Sequence, residues 1–211
     1  MAGEFFRIGI VGHDSRMETA HRLFQDVAAD YCRIDNGLAG CRGNHLAVWR
    51  WHAENPAVWS IVLEDDAQPV DGFREQLEAA LLVAPTPIAS FYLGNGYVYD
   101  RQMREQIRKA EKVGADWLVG RGRVYHAVAL AVRNSLVDSM IAAAGSCKRP
   151  IDHSIGRWAF LNGYEVGYSL PSLVDHADQV SIVTPQRRRG SRRAWRVGTR
   201  EQWRSKSIQL V

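Results

Sequence analysis

Short apolar runs alternate with stretches of helical periodicity, and this alternation restricts the fold more than any other feature of the sequence. Apolar runs of strand length that end in turn residues predict buried strands. We expect strands at 5–11, 31–34, 59–63, 88–93, 124–132 and 165–170. We expect helices at 15–29, 40–54, 71–83, 101–112, 134–144 and 152–161. The sequence therefore predicts an α/β fold with a mostly parallel central sheet flanked by helices, which binds ligands beyond the carboxyl ends of its strands.

Composition and targeting signals exclude several classes of protein. The chain is 46% hydrophobic and 24% charged, which is typical of a folded domain and not of a disordered or collagenous chain. No apolar run approaches the roughly 18 residues that span a bilayer, and the first residues lack the pattern of a signal peptide. Three cysteines without a C-x-x-C spacing suit a reducing compartment. We expect a cytoplasmic protein, which includes the cytoplasm of a phage-infected host cell.

The net charge of +4 conceals two parts of opposite sign. Residues 187–206 carry nine basic side chains and one acidic side chain, a net charge of +8, so the remainder carries −4. We therefore expect a domain at 1–186 and a basic C-terminal tail at 187–211. Such an asymmetry indicates an anionic partner for the tail.

Three consecutive acids, Glu64-Asp65-Asp66, directly follow the apolar run 59–63. Adjacent carboxylates repel one another unless a cation compensates their charge. Hard oxygen ligands suit Mg²⁺ or Mn²⁺, which can bridge to a diphosphate. The alternative interpretation is a solvated acidic turn in which Asp66 caps a helix.

An ordered set of motifs resembles the glycosyltransferases of family 25, which include lipooligosaccharide and collagen galactosyltransferases. The set is Gly40-Cys41-x-x-Asn44-His45-x-x-x-Trp49, then Ile61-Val-Leu-Glu-Asp-Asp66, Pro150-Ile-Asp152 with Trp158, and Pro171-Ser-Leu-Val. The resemblance covers roughly residues 5–183. It departs from the family at Asn44, where the family usually has serine. The resemblance implies a GT-A-like nucleotide-binding fold, a divalent metal (Mn²⁺ or Mg²⁺) and a nucleotide-sugar donor, most simply a UDP-sugar.

The resemblance also implies roles for single residues. Asp66, with Glu64 or Asp65, would hold the metal, and His176 would complete the metal coordination. In an inverting transfer Asp152 would take the proton of the acceptor hydroxyl; the alternatives are a helix N-cap at Asp152 or His153 as the base. Residues expected to face the donor are Arg16, Asn44, His45, Glu64, Asp65 and Asn95.

The tail combines arginines with Trp195 and Trp203 in a pattern that suits nucleic acid. Arginines from 189 to 204 repeat every three or four residues, so a helix would place them on one face. Arginine binds phosphate in a bidentate fashion, and tryptophan stacks on bases. The residues expected to bind nucleic acid are Arg188, Arg189, Arg192, Arg193 and Arg196. The alternatives are an anionic membrane surface, a solubilising disordered end, or a basic wall around the donor diphosphate.

Together these features predict a metal-dependent glycosyltransferase whose acceptor is a hydroxymethylated pyrimidine in phage-type DNA. The same chemistry on a lipooligosaccharide or other glycan is one alternative. A non-catalytic nucleic-acid-binding protein with a degenerate transferase fold is another. A two-metal nuclease has the carboxylates at 64–66 but lacks a second acidic cluster.

Overall fold

The computed structural model describes residues 4–95, 100–177 and 192–210. Its strands are β1 (Phe6–His13), β2 (Tyr31–Asp35), β3 (Trp59–Glu64), β4 (Ala67–Pro69), β5 (Ile88–Ser90), β6 (Trp117–Arg121), β7 (Ala129–Arg133), β8 (Glu165–Ser169), β9 (Val174–His176) and β10 (Ser207–Gln209). Its α-helices are α1 (Met17–Asp26), α2 (Gly40–Glu54), α3 (Phe73–Leu82), α4 (Asp100–Val113), α5 (Val137–Ser146) and α6 (Ile151–Leu161). The α/β class expected from the sequence is confirmed.

The central sheet has eight strands in the order β10-β6-β8-β5-β7-β3-β1-β2, and it is mixed. Parallel pairs join β1 to β2 and β3, β5 to β8, and β10 to β6. Strand β7 runs antiparallel to both β3 and β5, and β6 runs antiparallel to β8. The sheet that was expected to be mostly parallel is therefore mixed, since hydrophobic periodicity reports burial but not strand direction.

Both faces of the sheet are covered, as the uninterrupted apolar run of β3 predicts. Trp59, Ile61 and Leu63 pack on one face with residues of α1 and α3, whereas Val62 packs on the other face with residues of α2, α5 and α6. This alternation is the two-residue period of a strand. Because β3 is buried on both sides, the polar side chains that follow it emerge only at the edge of the sheet.

A separate two-stranded sheet pairs β4 with β9 in antiparallel register. Ala67 lies opposite His176, and the backbone N–H of Ala177 donates to the carbonyl of Asp66 at 2.9 Å. This pairing brings His176 to the end of β3, where the acidic run begins.

Residues 192–210 are part of the folded unit and form no helix, so the spacing of the arginines does not place them on one helix face. The strand β10 extends the central sheet beside β6, and Trp203 packs in the core against Trp117. The backbone N–H of Trp195 donates to the carbonyl of Leu93, and the backbone N–H of Ser172 donates to the carbonyl of Arg196. The boundary expected at 186/187 lies outside the described residues. No helix among the described residues is long and apolar enough to cross a membrane.

Candidate functional site

One cleft of about 630 Å³ opens at the edge where the parallel strands β1, β2 and β3 end. The antiparallel strand β7 begins at this edge, so the residues just before it, including His126, reach the same cleft. The first turn of α6 also lines the cleft. All the catalytic, donor-binding and metal-binding residues expected from the sequence line it: Arg16, Asn44, His45, Glu64, Asp65, Asp66, Asn95, Asp152 and His176.

Arg16 lies between two of the three consecutive acids. Its Nη1 atom lies 3.1 Å from Oδ1 of Asp65 and 2.7 Å from Oδ2 of Asp66, and all three side chains are about nine-tenths buried. Burial lowers the pKa of Arg16, but the charges of Asp66 and Asp65 raise it above its usual value. Arg16 therefore supplies much of the counter-charge that the acidic run requires, and the acidic turn is not solvated.

The two carboxylates beside Arg16 differ in their remaining partners. Asp65 also accepts the backbone N–H of His13 at 2.8 Å, which ties it to the end of β1. Burial raises the pKa of Asp65 despite the nearby guanidinium. In Asp66, Oδ2 lies 3.4 Å from Nε2 of His176, whereas Oδ1 is buried and has no hydrogen-bond partner. Asp66 therefore keeps one oxygen that can take a ligand.

Glu64 faces α2 instead of Arg16. Its Oε1 atom lies 3.0 Å from Nε2 of His45, which is almost fully buried. Burial lowers the pKa of His45, but its contacts with Cys41 and Glu64 raise the pKa to about 10. Burial raises the pKa of Glu64, but the hydrogen bond with His45 holds the pKa below its usual value. Among the residues that the structure describes, ligand atoms of Cys41, His45 and Glu64 lie within 4.8 Å of one another.

Asp152 is in the first turn of α6 but does not cap that helix. The N-cap residue is Pro150, and Oδ1 of Asp152 accepts the backbone N–H of His153 at 2.8 Å. The N-cap interpretation of Asp152 was therefore wrong. Burial is the largest effect on Asp152 and raises its pKa, and the negative charge of Glu64 acts in the same direction. A carboxylate with a raised pKa at the wall of a cleft is suited to accept a proton.

Asn44 and Asp35 shape the cleft through backbone contacts. The side-chain amide of Asn44 donates to the carbonyls of Gly12 at 2.8 Å and Arg33 at 3.4 Å, at the ends of β1 and β2. Asp35, which sequence analysis missed, accepts the backbone N–H groups of Gly37, Ala39 and Gly40. Both side chains therefore hold the loop and helix that form one wall.

The arginines expected to bind nucleic acid have different surroundings. Arg192 lines the cleft, and the hydroxyl of Tyr92 donates to its carbonyl. Arg193 pairs with Asp175 at 2.9 Å, and Arg196 pairs with Glu111 at 2.6 Å. Arg188 and Arg189 lie outside the described residues. Two of the five arginines thus contact acidic side chains of the domain itself.

Sequence analysis assigned no role in the site to several other residues of the cleft. His13, Cys41, Arg42 and His126 all line it. Cys41 and His45 are four residues apart in the helix expected at 40–54, which is the spacing that puts two side chains on one face of a helix, so this pair was detectable. His126 could not be detected from the sequence, because its position at the cleft depends on the direction of β7.

Comparisons with known proteins do not indicate what this cleft binds. No protein-family model matches the sequence, and no curated protein matches it. Among solved structures, the chain is similar to A197 from STIV, at 10% sequence identity and a TM-score of 0.40, over 94% of this chain and 98% of A197. At this distance the similarity says nothing about activity.

Proposed function

We propose that the protein is a glycosyltransferase that moves a sugar from a nucleotide-sugar donor to a hydroxyl acceptor. The observation that carries the proposal is that Asp66, His176 and Asp152 line one cleft at the carboxyl edge of the parallel strands. Its volume of about 630 Å³ is within the range of small-molecule sites, and this edge is where α/β sheets bind ligands. The motif resemblance to family 25 agrees with this proposal.

Asp66 and His176 are the pair that we propose for a divalent metal. Asp66 Oδ1 is buried without a partner, and the His176 imidazole lies beside Oδ2 of the same carboxylate. One oxygen and one imidazole nitrogen suit Mn²⁺ or Mg²⁺, which use few protein ligands when diphosphate oxygens supply the others. When bound, the ion would neutralise charge on the diphosphate. Glu64 pairs with His45, so we expect it to contribute less to this metal site than sequence analysis suggested.

In the proposed transfer, Asp152 takes the proton from the acceptor hydroxyl as that oxygen bonds to the anomeric carbon. The bond between that carbon and the diphosphate oxygen breaks, and its electron pair leaves with the nucleoside diphosphate. Arg192 lines the same cleft and can stabilise this developing charge. Arg16 acts indirectly, since it holds Asp65 and Asp66 in place.

A hydroxymethylated pyrimidine in DNA remains the acceptor that we propose, but fewer residues support it than the sequence suggested. Arg193 and Arg196 pair with Asp175 and Glu111. Arg192 lines the cleft, and Arg188 and Arg189 lie outside the described residues. A base acceptor would also have to leave the helical stack to reach a cleft of this kind. A glycan acceptor requires neither a set of arginines nor an unstacked base. Transfer to a glycan would therefore replace DNA as the proposed acceptor.

The experiment combines the protein, Mn²⁺ and a panel of nucleotide sugars with either hydroxymethylated DNA or simple glycans. Mass spectrometry of the products identifies which acceptor gains a sugar. We expect transfer or donor hydrolysis that Asp66→Asn abolishes and Asp71→Asn, an exposed acid a few residues away, leaves unchanged. Failure of every donor to turn over would overturn the proposed function. Equal turnover by the two variants would remove Asp66 from the metal site.

A further inference from the structure

Cys41, His45 and Glu64 bring three different ligand types to one point of the cleft wall. Cys41 and His45 lie one turn apart on α2, and Glu64 ends the strand β3 over which this helix packs. Their sulfur, nitrogen and oxygen ligand atoms lie within 4.8 Å of one another. Proximity in the chain alone does not bring all three together, because Glu64 belongs to another element.

The three side chains of the cluster differ in burial. His45 is 1% exposed, and its Nε2 atom lies 3.0 Å from Oε1 of Glu64. An ion bound through Nε2 would take the place of this hydrogen bond and contact both groups. Cys41, by contrast, is exposed and lines the cleft. The cluster thus has a buried nitrogen at one end and a sulfur that solutes can reach at the other.

We propose that Cys41, His45 and Glu64 form a binding site for Zn²⁺. Thiolate, imidazole and carboxylate are the three kinds of side chain that bind zinc, and three protein ligands leave a fourth position open. A soft thiolate ligand is disfavoured by hard ions such as Mg²⁺ and Mn²⁺, so this site differs from the Asp66–His176 pair in the metal that it selects. Binding releases the protons of the Cys41 thiol and the His45 imidazole, because only the deprotonated groups are ligands.

Co²⁺ is the probe that tests this site, because a Co²⁺ ion bound to a thiolate absorbs in the near ultraviolet by charge transfer from sulfur. We titrate the reduced full-length protein with Co²⁺ and then with Zn²⁺. We expect one equivalent of Co²⁺ to produce the sulfur band and one equivalent of Zn²⁺ to remove it. This readout needs no sugar transfer, so its failure is distinguishable from failure of the proposed function.

The variants distinguish Co²⁺ binding at this cluster from non-specific Co²⁺ binding elsewhere on the chain. Cys41→Ser should abolish the sulfur band, and His45→Gln should weaken Co²⁺ affinity at least about tenfold. Cys147→Ser is the matched control and should bind as the wild type does. Cys41 is exposed, so its serine variant should fold, which circular dichroism checks. Absence of the band in the wild type, or its persistence in Cys41→Ser, would overturn the proposal.

Discussion

The imidazole Nε2 of His176 lies 3.4 Å from Oδ2 of Asp66, although the two residues are far apart in the chain. The short antiparallel sheet of β4 and β9 makes this contact, because it sets Ala67 opposite His176. Oδ2 of Asp66 therefore lies close to both the Arg16 guanidinium and the His176 imidazole. A buried carboxylate requires this kind of support.

Asp152→Asn should lower the rate of sugar transfer by about 100-fold or more, because the amide cannot accept the acceptor's proton. Donor affinity should stay near the wild-type value, as measured by calorimetry. Since burial raises the pKa of Asp152, the wild-type rate should fall as pH decreases through that raised pKa. Asp138→Asn, an exposed acid in the first turn of α5, is the control. Full activity of Asp152→Asn would leave this carboxylate without a catalytic role.

Arg16→Met should destabilise the protein by about 3–5 kcal/mol at neutral pH, because it leaves two buried carboxylates without their cation. The effect is measured by urea unfolding, with the exposed Arg22→Met as the control. The pKa of Asp65 is raised in the folded state, which therefore binds protons more tightly than the unfolded chain does. The loss of stability of Arg16→Met relative to the wild type should accordingly become smaller as pH falls. A variant as stable as Arg22→Met would contradict the buried ion pairs.

Two ion pairs that involve C-terminal arginines should differ sharply in their effect on stability. Asp116 is fully buried and accepts the backbone N–H of Arg204 at 2.7 Å as well as its guanidinium. Asp116→Ala should therefore cost about 1–3 kcal/mol, since it removes the buried acceptor of the Arg204 backbone N–H and guanidinium.

Glu111→Ala is the matched comparison for Asp116→Ala. Its pair with Arg196 is about half exposed, so its loss should cost less than about 1 kcal/mol. Urea unfolding of both variants measures the difference. Equal, small effects would mean that residues 192–210 do not hold the fold together.

His52 should make the protein less stable in acid. It is buried, and Nε2 donates to the carbonyl of Ile61 at 2.9 Å. Burial lowers its pKa to about 4. The unfolded chain therefore binds a proton below about pH 6.5 that the folded protein does not, so the free energy of unfolding falls as pH decreases toward 4.

Over that interval the loss of stability from His52 should approach about 3 kcal/mol. His52→Gln should show a correspondingly smaller decrease of stability with pH in urea unfolding, whereas His21→Gln on the exposed face of α1 should follow the wild type. An unchanged pH dependence in His52→Gln would show that His52 is protonated in the folded state.

Much of the candidate site could be predicted because its residues follow buried strands or begin helices. The acidic run comes directly after β3, and Asp152 lies within the first turn of α6. Local patterns mark such positions, since burial and helical periodicity are encoded in neighbouring residues. The residues that those patterns selected do line one cleft.

The partners of those residues could not be predicted from the same patterns. Arg16 meets Asp65 and Asp66 only because β1 pairs with β3, and Glu64 meets His45 only because α2 packs over that strand. Sequence analysis assigned Asp66, with Glu64 or Asp65, to one metal ion. In the structure the acidic run instead pairs with two groups of the protein itself, Arg16 and the His45 imidazole. Ion pairs of this kind depend on contacts between distant segments.

The sequence by itself determined the α/β class, the apolar strand that ends in carboxylates and the position of Asp152. Only the tertiary structure decided that β7 is antiparallel, which brings His126 to the cleft, and that residues 192–210 join the fold through β10 and Trp203. The physical reason is the range of the interactions. Periodicity and capping act over a few residues, whereas strand direction and the docking of a charged segment are set by hydrogen bonds and ion pairs between distant parts of the chain.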